Sequence, residues 1–225
     1  MMRRDRLLNE KLEDLPTRID GFRVLILHND LWVAERMLVK ILNALKGRKI
    51  YFVIYSNTKH MRLEKLLKLC SQNERAERRA ERADWWGEFE VLREVEIIKV
   101  GTNGNTCFGR IQRLVDPHYH YPDTLIDSIY RIDERSVIVF YGFVLDDFEH
   151  FLEILDNVNS NSTVLTEYPL VEYEYYDQIL REYHDVIIKV QRQDLNFSIV
   201  VEPRVPICEE VNVQLDPYDV RYSFH

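Results

Sequence analysis

The sequence predicts a three-layer α/β/α domain whose sheet is mostly parallel and ends in an antiparallel hairpin. Short apolar runs alternate with segments in which apolar residues recur at helical spacing, a pattern typical of parallel strands joined by crossover helices. Hydrophobic residues make up 46% of the 225 residues, which is enough to bury a sizeable core. The last two apolar runs are separated by Asp194-Leu195-Asn196, which indicates the hairpin.

The first half of the chain supplies predicted strands and helices in alternation. Residues 1–20 are expected to form a short charged helix that ends near Pro16. Helical spacing over Leu31–Leu45 stops at Gly47, which is typical of a helix end. The other predicted elements are the strands Arg23–Leu27, Ile50–Tyr55 and Val95–Val100 and the helix His60–Cys70.

The second half continues the alternation. Cys107–Val115 fits either a helix or a strand, and the residues from Pro203 to His225, with three prolines, are expected to lie along the surface. We therefore divide the chain into an N-terminal charged segment (1–20), the main domain (21–204) and a C-terminal tail (205–225). The predicted helices are Asp123–Ile132, Asp146–Val158 and Val171–Tyr183, and the predicted strands are Val137–Tyr141, Thr163–Thr166, Val186–Gln191 and Phe197–Val201.

Composition and charge exclude several classes of protein. No apolar run approaches the roughly 20 residues that a membrane span needs, and no leader pattern opens the chain, so we expect a cytoplasmic protein. Three cysteines far apart do not suit a disulfide framework or a zinc ribbon. Residues 1–100 carry 21 Lys/Arg and 16 Asp/Glu, whereas residues 101–225 carry 9 and 22, so the net charge of −8 hides a basic first half. The acidic whole disfavours general nucleic-acid coating.

Three segments carry a family resemblance. Asn161–Glu167 (NSTVLTE) is similar to a strand with a Thr-rich sensor end, and Asp185–Pro203 (DVIIKVQRQDLNFSIVVEP) is similar to a closing hairpin. With the order of elements over residues 21–204, these segments resemble the RecA/KaiC-like branch of the P-loop ATPase superfamily. Ile97–Gly109 (IIKVGTNGNTCFG) further resembles a small, functionally uncharacterised archaeal family grouped with these proteins.

The resemblance implies three working parts that this sequence lacks. A phosphate-binding loop would read GxxxxGK[ST], but the first strand reaches the first helix through His28-Asn29-Asp30, where Asp30 is expected to cap the helix. A catalytic acid after the second strand is replaced by Ser56-Asn57-Thr58, and the strand Val137–Tyr141 runs into Gly142 instead of an Asp. The sequence therefore favours a degenerate member without ATPase activity, and we assign no catalytic residue, cofactor or metal.

Polar residues at the strand ends offer a residual pocket. His28, Asn29, Asp30 and Ser56 would lie where open α/β sheets bind ligands, although helix capping alone would also explain them. The pair His118 and His120 could ligate a metal, but the prolines around it favour an exposed turn.

Two further segments could contact a partner. On a helix over Glu74–Trp86, a stripe of arginines with two tryptophans could bind nucleic acid or protein, or form a solvated, ion-paired face. Glu167–Tyr176 suits a protein interface better than DNA because it is acidic and rich in tyrosine, or it forms an ordinary helix. The candidate contact residues are Arg75, Arg78, Arg79, Arg82, Trp85, Trp86, Tyr173, Tyr175 and Tyr176.

Three functional hypotheses follow. The first is a non-catalytic protein-interaction, regulatory or scaffolding module that binds a protein partner or itself. The second is a nucleic-acid-binding accessory protein of the recombinase-paralogue kind, and the third is an enzyme with an unrecognised pocket at the carboxyl ends of the strands. None of the three involves a membrane.

Overall fold

The fold is described from a computed structural model. The structure describes residues 14–55, 90–106, 108–142, 148–170, 174–193, 196–206 and 211–215.

One sheet runs through the described part of the chain. Its nine strands are ordered β4-β3-β2-β5-β6-β1-β7-β8-β9. Strands β1 to β7 are parallel, and β8 and β9 extend the sheet in antiparallel pairs. The strands are β1 Arg23–His28, β2 Ile50–Ile54, β3 Glu96–Val100, β4 Arg110–Val115, β5 Val137–Tyr141, β6 Thr163–Pro169, β7 Val186–Gln193, β8 Asn196–Pro203 and β9 Val211–Leu215.

Helices cover both faces of the sheet. One apolar core packs α1 and α2 against one face, and a second core packs α3, α4 and α5 against the other. The helices are α1 Leu15–Arg18, α2 Leu31–Ala44, α3 Asp123–Tyr130, α4 Phe148–Asp156 and α5 Glu174–Glu182. This arrangement confirms the predicted three-layer fold with a mostly parallel sheet and a C-terminal antiparallel hairpin.

The central strands are apolar throughout because helices cover both of their faces. Every residue of β2 and of β5 is buried. Strands covered on both faces need apolar side chains in both alternating directions, so their sequences read as continuous apolar runs.

The structure differs from the sequence-based expectations at several places. Pro16 lies in the first turn of α1, which tolerates a residue without an N–H. The charged helix expected over residues 1–20 lies mostly outside the described residues. The segment that fitted a helix or a strand forms β4, and β6 continues to Pro169 instead of ending at Thr166. Within the expected surface tail, Val211–Leu215 pairs with β8 as a ninth strand. Its alternating sequence, VNVQL, is typical of a strand, whereas the prolines before and after it favour irregular structure.

Candidate functional site

The turn between β1 and α2 contains only Asn29 and Asp30. The Asn29 side chain donates from Nδ2 to the backbone oxygen of Arg192 on β7 (3.0 Å), and its Oδ1 accepts from the Arg192 N–H (2.6 Å). The Asn29 N–H also donates to the oxygen of Val190 (3.2 Å). Asn29 is thus held to the neighbouring strand as though the sheet continued by one residue.

Asp30 occupies the N-cap of α2. Its backbone is extended (φ −127°, ψ 103°), and Oδ1 accepts a hydrogen bond from the N–H of Val33 at 3.2 Å. Its Oδ2 lies 3.4 Å from Nη1 of Arg192. The predicted capping role is confirmed, and a fixed carboxylate lies at the positive end of the helix dipole.

Polar side chains form a row on the α2 face of the sheet, near the carboxyl ends of the strands. Lys99 on β3 is in register with Ile54, which is in register with Tyr141 on β5. Tyr141 is in register with Glu167 on β6. Lys99, Tyr141 and Glu167 therefore lie at the same height along their strands. Since adjacent strands lie about 4.8 Å apart, their backbones are separated by only a few strand spacings.

Two hydrogen bonds link Glu167 and Tyr141 to two further buried polar residues. The ring Nε2 of His28 is hydrogen-bonded to Oε1 of Glu167, and the two residues are 4% and 2% exposed. The hydroxyl of Tyr141 donates to Oε1 of Glu35, a buried residue of α2, at 2.5 Å. Buried ionisable groups are retained at low cost only when such contacts replace their hydration.

Lys99 belongs to the same buried layer. It is 2% exposed, and its Nζ donates to the backbone oxygen of Asn105 at 2.9 Å. We call His28, Glu35, Lys99, Tyr141 and Glu167 the polar row. Its imidazole, carboxylates, phenol and ammonium are the groups that transfer protons in enzymes, yet most of the contacts above join them to one another. Within the described residues, only Nδ1 of His28 is a buried polar atom of this row without a hydrogen-bond partner.

A second buried histidine lies on the opposite face of the sheet. Nδ1 of His184 lies 2.6 Å from the Leu180 carbonyl, and Nε2 lies 2.8 Å from Oγ1 of Thr166. Because a carbonyl can only accept, the proton is on Nδ1, and Nε2 accepts from the Thr166 hydroxyl. Burial lowers the pKa of His184 from 6.5 to about 4, with a smaller contribution from the positive charge of Arg23. This histidine is neutral and structural.

The structure describes some of the predicted site residues, and others lie outside the described ranges. His28, Asn29 and Asp30 lie together at the end of β1, while Ser56 lies outside the described residues. Tyr175 and Tyr176 lie on α5, where Tyr176 packs edge-on against Phe148 with ring centres 4.8 Å apart. His118 and His120 are exposed in a turn, as expected. Also outside the described residues are Arg75, Arg78, Arg79, Arg82, Trp85, Trp86 and Tyr173.

Sequence reasoning missed four members of the polar row. Glu167 was expected in an acidic segment after a strand, but it is buried within β6 because that strand extends to Pro169. A charged residue inside an otherwise apolar strand, as Lys99 is in EIIKV, was the available signal. Glu35 and Tyr141 gave a weaker sequence signal, because each lies among apolar neighbours.

The described residues contain neither a metal-binding cluster nor a helix that could span a membrane. Among the described residues, no three His, Cys, Asp or Glu side chains are close enough to hold a metal ion together. None of the helices in the same ranges has the length and apolar character needed to cross a bilayer.

Comparisons with known proteins give structural similarities only. The sequence matches no protein-family model and no curated protein. A protein of Pyrococcus horikoshii OT3 is similar with 14% identity and a TM-score of 0.49, over 80% of this chain and 85% of that one. The RadB recombinase is 12% identical with a TM-score of 0.49, over 88% and 87% of the two chains. A KaiC-like protein from Pyrococcus horikoshii OT3 is 11% identical with a TM-score of 0.46, over 88% and 85%.

Proposed function

We propose that this chain is a non-catalytic protein-interaction or regulatory module of RecA/KaiC-like type that does not hydrolyse ATP. The observation that carries the proposal is the two-residue turn between β1 and α2, held by Asn29 and Asp30. A phosphate-binding loop needs several residues whose N–H groups converge on an anion, with a helix N-terminus open behind them.

The turn offers neither feature. The side chain of Asn29 is bonded to the backbone of Arg192, so the turn is held against β7. The carboxylate of Asp30 accepts from an N–H at the start of α2 and brings a negative charge to the place that a phosphate would occupy. A phosphate there would meet electrostatic repulsion.

The end of β5 supports the same proposal. The resemblance implies a magnesium-ordering Asp there, but the strand ends with Tyr141, which is fully buried and donates to Glu35. A neutral phenol that donates its proton to a carboxylate is a poor ligand for a hard cation, which prefers anionic and carbonyl oxygens.

Exposed large hydrophobic side chains support the interaction part of the proposal. Among the described residues, the large hydrophobic side chains that are exposed are Leu114 (40%), Tyr119 (71%) and Tyr130 (80%). All three lie in the segment that runs from β4 to the last residue of α3. Tyrosine is enriched in protein interfaces because it combines a large apolar area with a polar end.

Two assays of the purified chain test the proposal. We expect no magnesium-dependent ATP turnover, and turnover that persists through repurification would refute the non-catalytic function.

The second assay tests the interaction. The wild type and a Tyr119→Ala/Tyr130→Ala variant are used as baits to capture proteins from cell lysate, with and without nuclease treatment. We expect a protein partner that the variant captures less well, whereas an exposed control change, Glu153→Ala on α4, leaves capture unchanged. Partners that are captured from untreated lysate but not after nuclease treatment would favour the nucleic-acid hypothesis instead.

The polar row favours a second candidate, an enzyme at the carboxyl ends of the strands. His28 and Glu167 form a buried imidazole–carboxylate pair, and the other imidazole nitrogen has no partner in the described part of the chain. Such pairs occur in acid–base catalysis. A substrate screen in which His28→Gln abolishes turnover while the protein stays folded would favour this candidate over the first.

A further inference from the structure

The connection from β3 to β4 contains the sequence Asn103-Gly104-Asn105. Residues 102–105 are exposed, and the backbone of residues 103–106 belongs to no helix or strand. Lys99 of the polar row is bonded to this segment, since its Nζ donates to the Asn105 carbonyl at 2.9 Å. The segment is therefore open to water, while one of its carbonyls is held by the buried polar row.

The side chain of Asn103 is folded back over the peptide that follows it. Its Oδ1 accepts a hydrogen bond from the N–H of Asn105 at 2.8 Å, which closes an Asx turn around Gly104. This hydrogen bond polarises the side-chain carbonyl. It also stabilises the negative charge that would develop on Oδ1 when a nucleophile adds to the carbonyl carbon, Cγ.

The backbone nitrogen of Gly104 is the nucleophile nearest to Cγ along the chain. A bond between these two atoms closes a five-membered ring through Cβ, Cα and the main-chain carbonyl carbon of Asn103. Within the described ranges, neither the Gly104 N–H nor the Asn103 Nδ2 has a hydrogen-bond partner. Glycine also has no side chain to shield its nitrogen and has the greatest backbone freedom of any residue. Nothing in the described structure therefore holds the nitrogen or the amide group away from reaction.

We propose that Asn103 is a site of spontaneous deamidation in the folded protein. The Gly104 nitrogen loses its proton to hydroxide and bonds to Cγ, and the bond from Cγ to Nδ2 breaks as ammonia leaves. Water then opens the cyclic imide. Cleavage at Cγ yields aspartate, whereas cleavage at the main-chain carbonyl yields isoaspartate, in which the backbone runs through the former side chain.

Either product adds one negative charge to the segment that Lys99 holds. The reaction needs only water and involves no oxidation or reduction. The inference goes beyond the proposed function and does not depend on it.

Asn159 provides a control within the same chain. Its Oδ1 also accepts from the N–H two residues later, that of Asn161, at 2.9 Å. The residue that follows Asn159 is Ser160, whose side chain restricts the backbone and shields the attacking nitrogen. Asn159 is also less exposed than Asn103. The same hydrogen bond thus occurs beside a residue that hinders the attack, so Asn103 should react first.

Incubation of the purified chain at neutral and mildly alkaline pH tests the inference, with peptide mass spectrometry at each asparagine. We expect Asn103 to convert at least about fivefold faster than Asn159, because only Asn103 precedes glycine. Conversion should release one ammonia per modified chain and should accelerate with pH, because the Gly104 N–H must lose its proton. Isoaspartate should form at position 103 alongside aspartate.

Gly104→Ala is the diagnostic variant and should slow conversion at Asn103 by at least about fivefold. It should fold normally, because a Cβ at Gly104 would lie 3.7 Å from the Leu114 side chain, which is ordinary contact, and the φ of Gly104 is not left-handed. Thermal denaturation checks this. Gly47→Ala, where a Cβ meets nothing within 4 Å, is the matched control and should leave conversion unchanged.

Three results would overturn the proposal. The first is an Asn103 that stays unmodified in the folded protein and converts only in the urea-unfolded chain. The second is equal conversion at Asn103 and Asn159, or equal conversion in the Gly104→Ala and wild-type proteins. The third is conversion to aspartate without isoaspartate, because direct hydrolysis of the side-chain amide by water gives aspartate alone.

Discussion

Asn29 and Arg192 are joined by a reciprocal pair of hydrogen bonds, at 3.0 and 2.6 Å, between the Asn29 side chain and the Arg192 backbone. The amide of Asn29 thus imitates a backbone peptide of a paired strand. The pair holds the turn between β1 and α2 against the end of β7.

Replacement of Asn29 tests how firmly the turn is held. Asn29→Ala removes both side-chain hydrogen bonds and should lower the free energy of unfolding by about 1–2 kcal/mol. Asn29→Asp keeps the acceptor and loses the donor, so it should fall between the wild type and the alanine variant. Urea denaturation measures the three proteins, and equal midpoints would mean that the pair contributes nothing.

Asp30 should stabilise α2 as a cap. Asp30→Ala removes the acceptor for the Val33 N–H and should cost about 1 kcal/mol of stability. Asp30→Ser keeps a capping oxygen without the charge and should restore most of the loss. If the serine variant is as unstable as the alanine variant, the contact with Arg192 and not the cap is responsible.

His184 should make the protein less stable in mild acid. Its folded pKa, about 4, lies below the unfolded value of 6.5, so the unfolded state binds more protons between these pH values. Stability is therefore complete above about pH 6.5 and falls as the pH drops toward 4, by on the order of 3 kcal/mol at most.

The control is His184→Gln, which retains a donor for Leu180 and an acceptor for Thr166 but does not titrate. Denaturation at pH 7 and pH 4.5 should show a larger loss for the wild type than for the variant. Parallel losses would exclude His184 as the source of the pH dependence.

Gly109 is required by close packing. Its φ is +59°, and a Cβ there would lie 2.5 Å from the Val95 carbonyl oxygen and 2.8 Å from its side chain. Gly109→Ala should destabilise the protein by more than about 2 kcal/mol, since left-handed backbone strain and a clash add together. Gly47→Ala is the control, because a Cβ at Gly47 meets nothing within 4 Å. Similar melting temperatures for both variants would contradict this account.

Local patterns predicted the fold well, and long-range register explains what they missed. The apolar run Val137–Tyr141 and the cap at Asp30 each depend on a few adjacent residues, so the sequence was sufficient for both. The polar row depends on register between strands far apart in sequence: Lys99 and Glu167 share a level only through β2 and β5. The burial of Glu167 followed from three further residues of β6, and strand ends are the least certain part of such a prediction.

Equilibrium binding of Mg·ATP to the purified wild-type chain tests the central claim most directly. Isothermal titration should show no saturable binding, because the Asp30 carboxylate and the two-residue turn leave no phosphate cradle between β1 and α2. Saturable binding of ATP that Asp30→Ala strengthens by relieving repulsion would contradict the claim, since it would place the nucleotide at this same turn.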